Sequence, residues 1–257
     1  MLKKRIIPIL LWKDTGLVKG KKFNSWRRVG SVLPAIKIFN LRDVDELVLL
    51  NIESHENKKK PDLSFIETCL KHCNVPMTVG GGIDTIDYAR ELLKIGADKL
   101  SINTAAYSNI DLINNLSKEF GKQCVVASVD YKKNIDGELK CYSHNGKKET
   151  IYNPLEWVSK IEKNGAGEIL LTNIDNEGSM NGYDIDLAKI LTRKINIPFI
   201  CSGGAGNSSH ICELFLKTNV SAAAVSSMFQ FTEQTPNDVK LYLNSKNIKI
   251  RKNVKIQ

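Results

Sequence analysis

The chain repeats itself at about half its length, and that constrains its fold more than any other feature. VGGGID at 79–84 is answered by CSGGAG at 201–206, with Gly81 and Gly203 offset by 122 positions (203 − 81). DELVLLNIE at 45–53 is answered by GEILLTNID at 167–175 at the same offset, pairing Glu46 with Glu168 and Asn51 with Asn173. ADKLSINTAA at 97–106 is answered by the run through VSAAAVSSMF. One match could be chance. Three in the same order imply two copies of one unit, stacked so that each buries what the other exposes.

The unit is legible in the hydrophobic pattern. Short apolar runs recur at 5–11, 46–52, 75–80, 98–103, 124–130, 168–174, 197–202 and 221–226. Most are nearly continuous in Ile, Val and Leu, as parallel strands buried on both faces are. Segments with helical periodicity separate them, among them IDYARELLKI, IDLINNLSKEF, PLEWVSKIEK and HICELFLK. Eight alternations predict an α/β fold, a (β/α)8 TIM barrel built from two similar half-barrels and forming one domain over residues 1–257. YKKNIDGELKCYSHNGKKET breaks the rhythm. Its Asp136-Gly137 and Asn145-Gly146 pairs predict a small hairpin within 131–150, after the fifth strand.

Composition narrows the partners. No run approaches the roughly 18 apolar residues of a membrane helix, so no membrane association is expected. MLKKRIIPILLWKD opens with basic residues before an apolar core, but Lys13-Asp14 follow with no small-residue cleavage site, so it reads as a buried strand. Six cysteines lie scattered; Cys69 and Cys73 sit four apart with no second pair to complete a metal site. A structural role, no metal, no cofactor and a reduced cytoplasmic setting are expected. Much of the net charge of +9 comes from the lysines at 58–60 and the tail KNIKIRKNVKIQ, both expected as solvated surface. No aromatics alternate with the basic residues, which argues against nucleic acid and for an anionic small substrate or an acidic protein partner.

In such barrels the functional loops lie at the C-terminal ends of the strands, where Gly backbone N–H groups and helix N-termini bind phosphate. Gly80-Gly81-Gly82 and Gly203-Gly204 end the third and seventh strands; Asn103-Thr104 and Ser226-Ser227 end the fourth and eighth. Tight turns alone would also use these glycines. The doubling favours two anion sites facing each other across the mouth, bridged by a ligand with a phosphate at each end. The loop KDTGLVKGKKFNSWRRVGS at 13–31 is long and basic, and either closes over such a substrate with Lys19 reaching in or is plain solvated surface.

With these residues in hand, the sequence resembles the cyclase subunit of imidazole glycerol phosphate synthase over essentially its whole length. The matching stretches are KRII, VDEL at 44–47, TVGGGI at 78–83, GADKLSINTAA at 96–106, GAGEILLT at 165–172, NGYD at 181–184 and SGGAG at 202–206. The resemblance implies a barrel that takes ammonia from a glutaminase subunit at its N-terminal face. It passes the ammonia to a bisphosphorylated ribulose-type substrate. Gly82, Asn103 and Thr104 would bind one phosphate; Gly178, Gly204, Ser226 and Ser227 the other, with Lys19 on the mobile loop. Arg5, Glu46, Lys99 and Glu168 match the family's ring of alternating charges that gates ammonia, though charged rings also merely plug barrel floors. Asp98 and Gln123 match positions at the glutaminase interface.

The family's chemistry uses two aspartates, at the ends of the first and fifth strands, as general acid and base. Asp130 matches the second. The first falls on Leu11. Asn51 and Glu177 stand where the family usually has Asp, and Pro8 is expected to interrupt the first strand. Relatives with an apolar residue in place of the first aspartate supply ammonia to a sugar amidotransferase, which turns an acetamido into an acetamidino group for surface polysaccharides or flagellar glycans. That subtype is the expectation for this chain. The alternatives are the histidine-pathway cyclase, with Glu53 or Glu177 replacing the missing carboxylate, and a silent scaffold that activates the glutaminase.

Overall fold

The computed structural model describes residues 3–54 and 60–251. Lys58 and Lys59, and the last six residues of the basic tail, lie outside them.

The first strand, β1 (Arg5–Lys13), turns back into an antiparallel hairpin, β2 (Gly16–Lys21) and β3 (Asn24–Ser31). Parallel strands β4 (Leu47–Asn51), β5 (Met77–Gly80) and β6 (Lys99–Ile102) follow, each after a helix. The strand β7 (Val125–Lys133) turns back into β8 (Leu139–Ser143) and β9 (Lys148–Glu149). The set closes with β10 (Glu168–Asn173), β11 (Phe199–Ser202) and β12 (Ala222–Val225). Eight parallel strands pair in the order β1, β4, β5, β6, β7, β10, β11, β12, and β12 pairs with β1. This is the (β/α)8 barrel that the eightfold alternation predicts.

Period-two alternation sorts side chains between two cores. Leu10 and Trp12 of β1 face outward into the large cluster beneath the helices. Ile7, Ile9 and Leu11 face the barrel interior, with Val48, Val126, Leu170, Ile200, Ala222 and Ala224. Helix starts are fixed locally. Thr85 accepts from the Tyr88 N–H, and Asn153 and Glu156 form a reciprocal capping box. Cys69 is fully buried on the helix Leu63–Lys71, where it packs as a small apolar side chain.

Three expectations are corrected. The segment 13–31 is no open loop: β2 pairs with β1 and β3 with β2, which leaves β3 as an edge strand. Pro8 does not interrupt β1. It lies where pairing passes from β12 (Arg5 to Pro8) to β4 (Ile9 to Trp12), so losing one donor leaves a ladder on either side of it. The tail is not all solvated surface. Ile248 and Ile250 are buried, the Lys4 N–H donates to Lys249 O (2.9 Å), and the Arg251 N–H donates to Lys4 O (2.9 Å). Lys60 is exposed, as expected, and pairs at the surface with Asp84 at 2.8 Å. The expected insertion after the fifth strand is present as β8 and β9, turning at Gly137 and Gly146, both with positive φ. A hairpin thus follows the first strand of each half-barrel.

Candidate active site

A cavity of about 730 Å³ opens at the C-terminal ends of the strands. The sheet register shows which residues of its wall are counterparts. Leu11 pairs with Leu50 and Trp12 with Asn51 across β1 and β4; Asp130 pairs with Thr172 and Tyr131 with Asn173 across β7 and β10. The Ile52 N–H donates to Trp12 O at 3.1 Å, and the Ile174 N–H donates to Tyr131 O at 2.8 Å. Leu11 therefore occupies in one half the place that Asp130 holds in the other. Its neighbour changes with it: Leu50 stands where the second half has Thr172. One wall of the mouth is apolar, joined by Phe23 and Trp26 of the first hairpin; the opposite wall carries Asp130, Thr172, Ser128 and Asn103.

Asp130 is buried, and Asn103 Nδ2 donates to its Oδ2 at 2.6 Å. Burial pushes the carboxyl up to about 7, against the Asn103 hydrogen bond and with help from the Glu177 carboxylate. A carboxyl in that range exchanges a proton readily at neutral pH, as a general acid or base must. Glu177 also lines the cavity and is buried. Lys19 Nζ lies 4.0 Å from Glu177 Oε1. Burial pulls the Lys19 ammonium down to about 8, opposed by the attraction of Glu177. Glu53, the other expected substitute carboxylate, does not face the cavity; its Oε2 accepts from the Asp14 N–H at 3.0 Å.

The two Gly turns are structural twins. A Cβ on Gly81 would lie 2.4 Å from Asn51 O, and one on Gly203 would lie 2.5 Å from Asn173 O. That crowding, with φ of +104° and +90°, is enough to require glycine at both. Asn103 (φ −127°, ψ −93°) and Ser226 (φ −129°, ψ −79°) cap short helices in matching conformations. Gly82, Asn103 and Thr104 border the cavity, so the first expected cradle is open. Two of its side chains are already engaged, Asn103 with Asp130 and Thr104 Oγ1 with the His144 N–H (3.0 Å). The Thr104 hydroxyl accepts there and keeps its own hydrogen to offer an anion, beside the backbone groups.

The second expected cradle is covered. Ser226 borders the cavity, but its Oγ donates to Ile9 O at 2.8 Å. Gly178, Gly204 and Ser227 do not line the cavity. The first hairpin covers Gly178, whose added Cβ would lie 2.5 Å from Gly20 O, and Gly204 packs on Gly182, whose N–H donates to Gly204 O at 2.7 Å. Yet Lys19 Nζ and Ser227 Oγ are buried with no hydrogen-bond partner, as is Asn103 Oδ1 beside the first cradle. Buried polar atoms normally find partners, so these atoms suit a polar ligand. Phe23, Trp26, Thr172 and His144 also line the mouth, though the sequence does not single them out. Thr172 was within reach of it, since the offset of 122 maps Leu50 onto it; the others arrive through hairpin packing.

A family model described as "Histidine biosynthesis protein" matches residues 5–235. Subunits named "Imidazole glycerol phosphate synthase subunit HisF" are similar over nearly the whole chain. The one from Prosthecochloris aestuarii is 40% identical over 251 residues, covering 98% of this chain and 100% of its own length. The one from Natranaerobius thermophilus is 41% identical with the same coverage, and that from Chlorobaculum tepidum 39%. This chain belongs to the HisF family. The printed names of these three relatives are those of an imidazole glycerol phosphate synthase subunit, and the expected sugar-amidination subtype is in none of the three.

The floor of this HisF-type barrel carries the expected charge ring. Arg5 bonds Glu46 (2.8 Å) and Glu168 (2.5 Å), and Lys99 bonds Glu46 (3.0 Å) and Glu168 (2.7 Å), so the four charges close on themselves. Burial pushes the Glu46 carboxyl up, but Arg5 and Lys99 outweigh it and hold it below its ordinary value. Arg251 adds a longer contact with Glu46 at 3.9 Å. Asp98 and Gln123 are exposed at the same end. Asp98 Oδ2 accepts from the Met77 N–H (2.8 Å), which ties down the start of β5. Among the described residues no helix is long and apolar enough to cross a membrane.

Proposed function

We propose that this protein is the cyclase subunit of a glutamine-dependent imidazole glycerol phosphate synthase. It receives ammonia from a glutaminase docked on the N-terminal face and uses it on a bisphosphorylated ribulosyl substrate at the mouth. The observation that carries this reading is one barrel with a closed ring of four charges at its floor and a buried carboxyl poised near neutrality at its mouth. Neutral ammonia can pass a gate in which ions are held by their partners, and the interior above is largely apolar. Gly82, Asn103 and Thr104 would hold one phosphate. Lys19, Gly178, Gly204, Ser226 and Ser227 would hold the other once the first hairpin shifts. The test is turnover of the substrate by the purified protein with ammonium salt in place of the glutaminase. Complete absence of product would overturn the reading.

One observation favours a second reading. The paired apolar residues Leu11 and Leu50 take a proton-transfer position out of the mouth, which suits a barrel that hands ammonia to a separate sugar amidotransferase. Rescue of a histidine auxotroph would decide against it.

A further inference from the structure

We propose that Glu177 is the second proton-transferring group of the mouth, standing in for the carboxylate that Leu11 removes. The proposal rests on the cyclase reading and assigns that site's missing partner.

Three carboxylates line the cavity among the described residues: Asp84, Asp130 and Glu177. Asp84 is bound to Lys60 and its side chain is 61% exposed, so its protons exchange with bulk water. Glu177 is 7% exposed and shares the enclosed mouth with Asp130. Its backbone is held on both sides. The Glu177 N–H donates to Asn173 O (3.0 Å) and Ile174 O (3.2 Å), and Glu177 O accepts from the Lys22 N–H (2.9 Å). The carboxylate is thus anchored between the end of β10 and the first hairpin.

The groups facing it come from three elements. Lys19 approaches from β2 at 4.0 Å, Asp130 from β7, and Tyr183, whose hydroxyl donates to Ala224 O, from the loop after β10. Burial raises the Asp130 carboxyl, and the Glu177 charge raises it further. Two carboxyls in different surroundings can take opposite roles. Asp130, protonated near neutrality, donates; Glu177 accepts. In the first addition the ammonia lone pair forms the C–N bond while the carbonyl π pair moves to oxygen. That oxygen takes the Asp130 proton, and the new ammonium nitrogen loses one to Glu177. The products are a neutral carbinolamine, an Asp130 carboxylate and a protonated Glu177, so charge and protons balance.

The experiment measures turnover with ammonium salt against pH for the parent, Glu177→Gln, Glu177→Asp and the double variant Leu11→Asp/Glu177→Gln. Glu177→Gln is expected to lower kcat by about 10²-fold or more, with KM little changed and one limb of the pH profile lost. Glu177→Asp should keep both limbs. Leu11→Asp should restore at least about tenfold to Glu177→Gln, because it returns a carboxylate to the wall facing Asp130. A Glu177→Gln protein with parental kcat and an unchanged pH profile overturns the proposal and leaves the cyclase reading intact. No turnover in the parent overturns both. Carboxyl NMR titration checks that the two groups sense each other: the Asp130 midpoint should fall in Glu177→Gln, and an unchanged midpoint counts against the proposal.

Discussion

At neutral pH the carboxyl of Asp130 is poised between its two forms, and what makes it useful also makes the fold weaker. Its midpoint in the folded protein is about 7 against an ordinary 3.8. A folded value above the unfolded one means a contribution to stability that is fully present below the unfolded value and lost as pH rises through the folded one. Asp130→Asn removes the ionisation and keeps an acceptor for Asn103. The stability it gains over the parent should therefore grow between about pH 4 and about pH 7 and level off above, as thermal melts across pH would show. The same variant should lose about 10²–10⁴-fold in ammonium-dependent turnover. Lys19 has the opposite sign. Its folded value, about 8, lies below its ordinary 10.5, so its contribution is present above the ordinary value and lost as pH falls through 8. An anion beside it would restore the charged form.

The two hairpins show how the elements frame the mouth. Each continues from the first strand of its half-barrel, and they meet: a Cβ on Gly146, in the β8–β9 turn, would lie 3.2 Å from Phe23 on the β2–β3 turn. Asn145 Nδ2 donates to Ile52 O, fastening the second hairpin to the end of β4. With the first hairpin in this position the first cradle is open and the second is covered. Crystals grown from sulfate or phosphate should therefore show an anion near Gly82, Asn103 and Thr104. A second near Gly204, Ser226 and Ser227 should come with a displaced first hairpin. Side chains filling both positions would exclude a bisphosphate. Phosphate binding at the second cradle should weaken above about pH 8, where Lys19 is neutral; titration calorimetry at pH 7 and 9 checks this. Gly204→Ala would place a Cβ 1.9 Å from the Gly182 carbonyl at φ +111°. A loss of about 1–3 kcal/mol in melting experiments is expected, because the clash is with the Gly182 backbone, which cannot swing away as a side chain can.

For the whole molecule, the ends of the barrel differ in how their charges are met. At the floor each of the four ring charges has at least two partners, whereas at the mouth Lys19 Nζ has no hydrogen bond. Lys99→Ala leaves Glu46 and Glu168 to Arg5, at up to about 3 kcal/mol of stability. It should also uncouple glutamine hydrolysis from ammonia use when a cognate glutaminase is present. Asp98→Asn keeps an acceptor for the Met77 N–H and removes the charge, so weaker glutaminase stimulation with unchanged melting would place Asp98 at the interface. Binding and full stimulation that survive charge reversal at Asp98 and Lys99 together would refute docking there. Much of this was legible in the chain. Eight nearly continuous apolar runs and the repeat at 122 set the strand count and the half-barrel pairing, and the offset pairs Glu46 with Glu168; the other two floor charges, Arg5 and Lys99, were marked only by the family resemblance. The hairpin at 131–150 was signalled by its Asp-Gly and Asn-Gly turns. What the tertiary structure alone decided was contact between distant segments. That Leu11 and Leu50 lie across one ladder, that the first hairpin covers Gly178, that Ser226 spends its hydroxyl on Ile9, and that Glu177 rather than Glu53 faces Asp130 all depend on barrel closure and hairpin packing. Local sequence carries no record of such contacts, because strand pairing fixes one partner in a ladder while hairpin packing is set by the shape of everything beneath it.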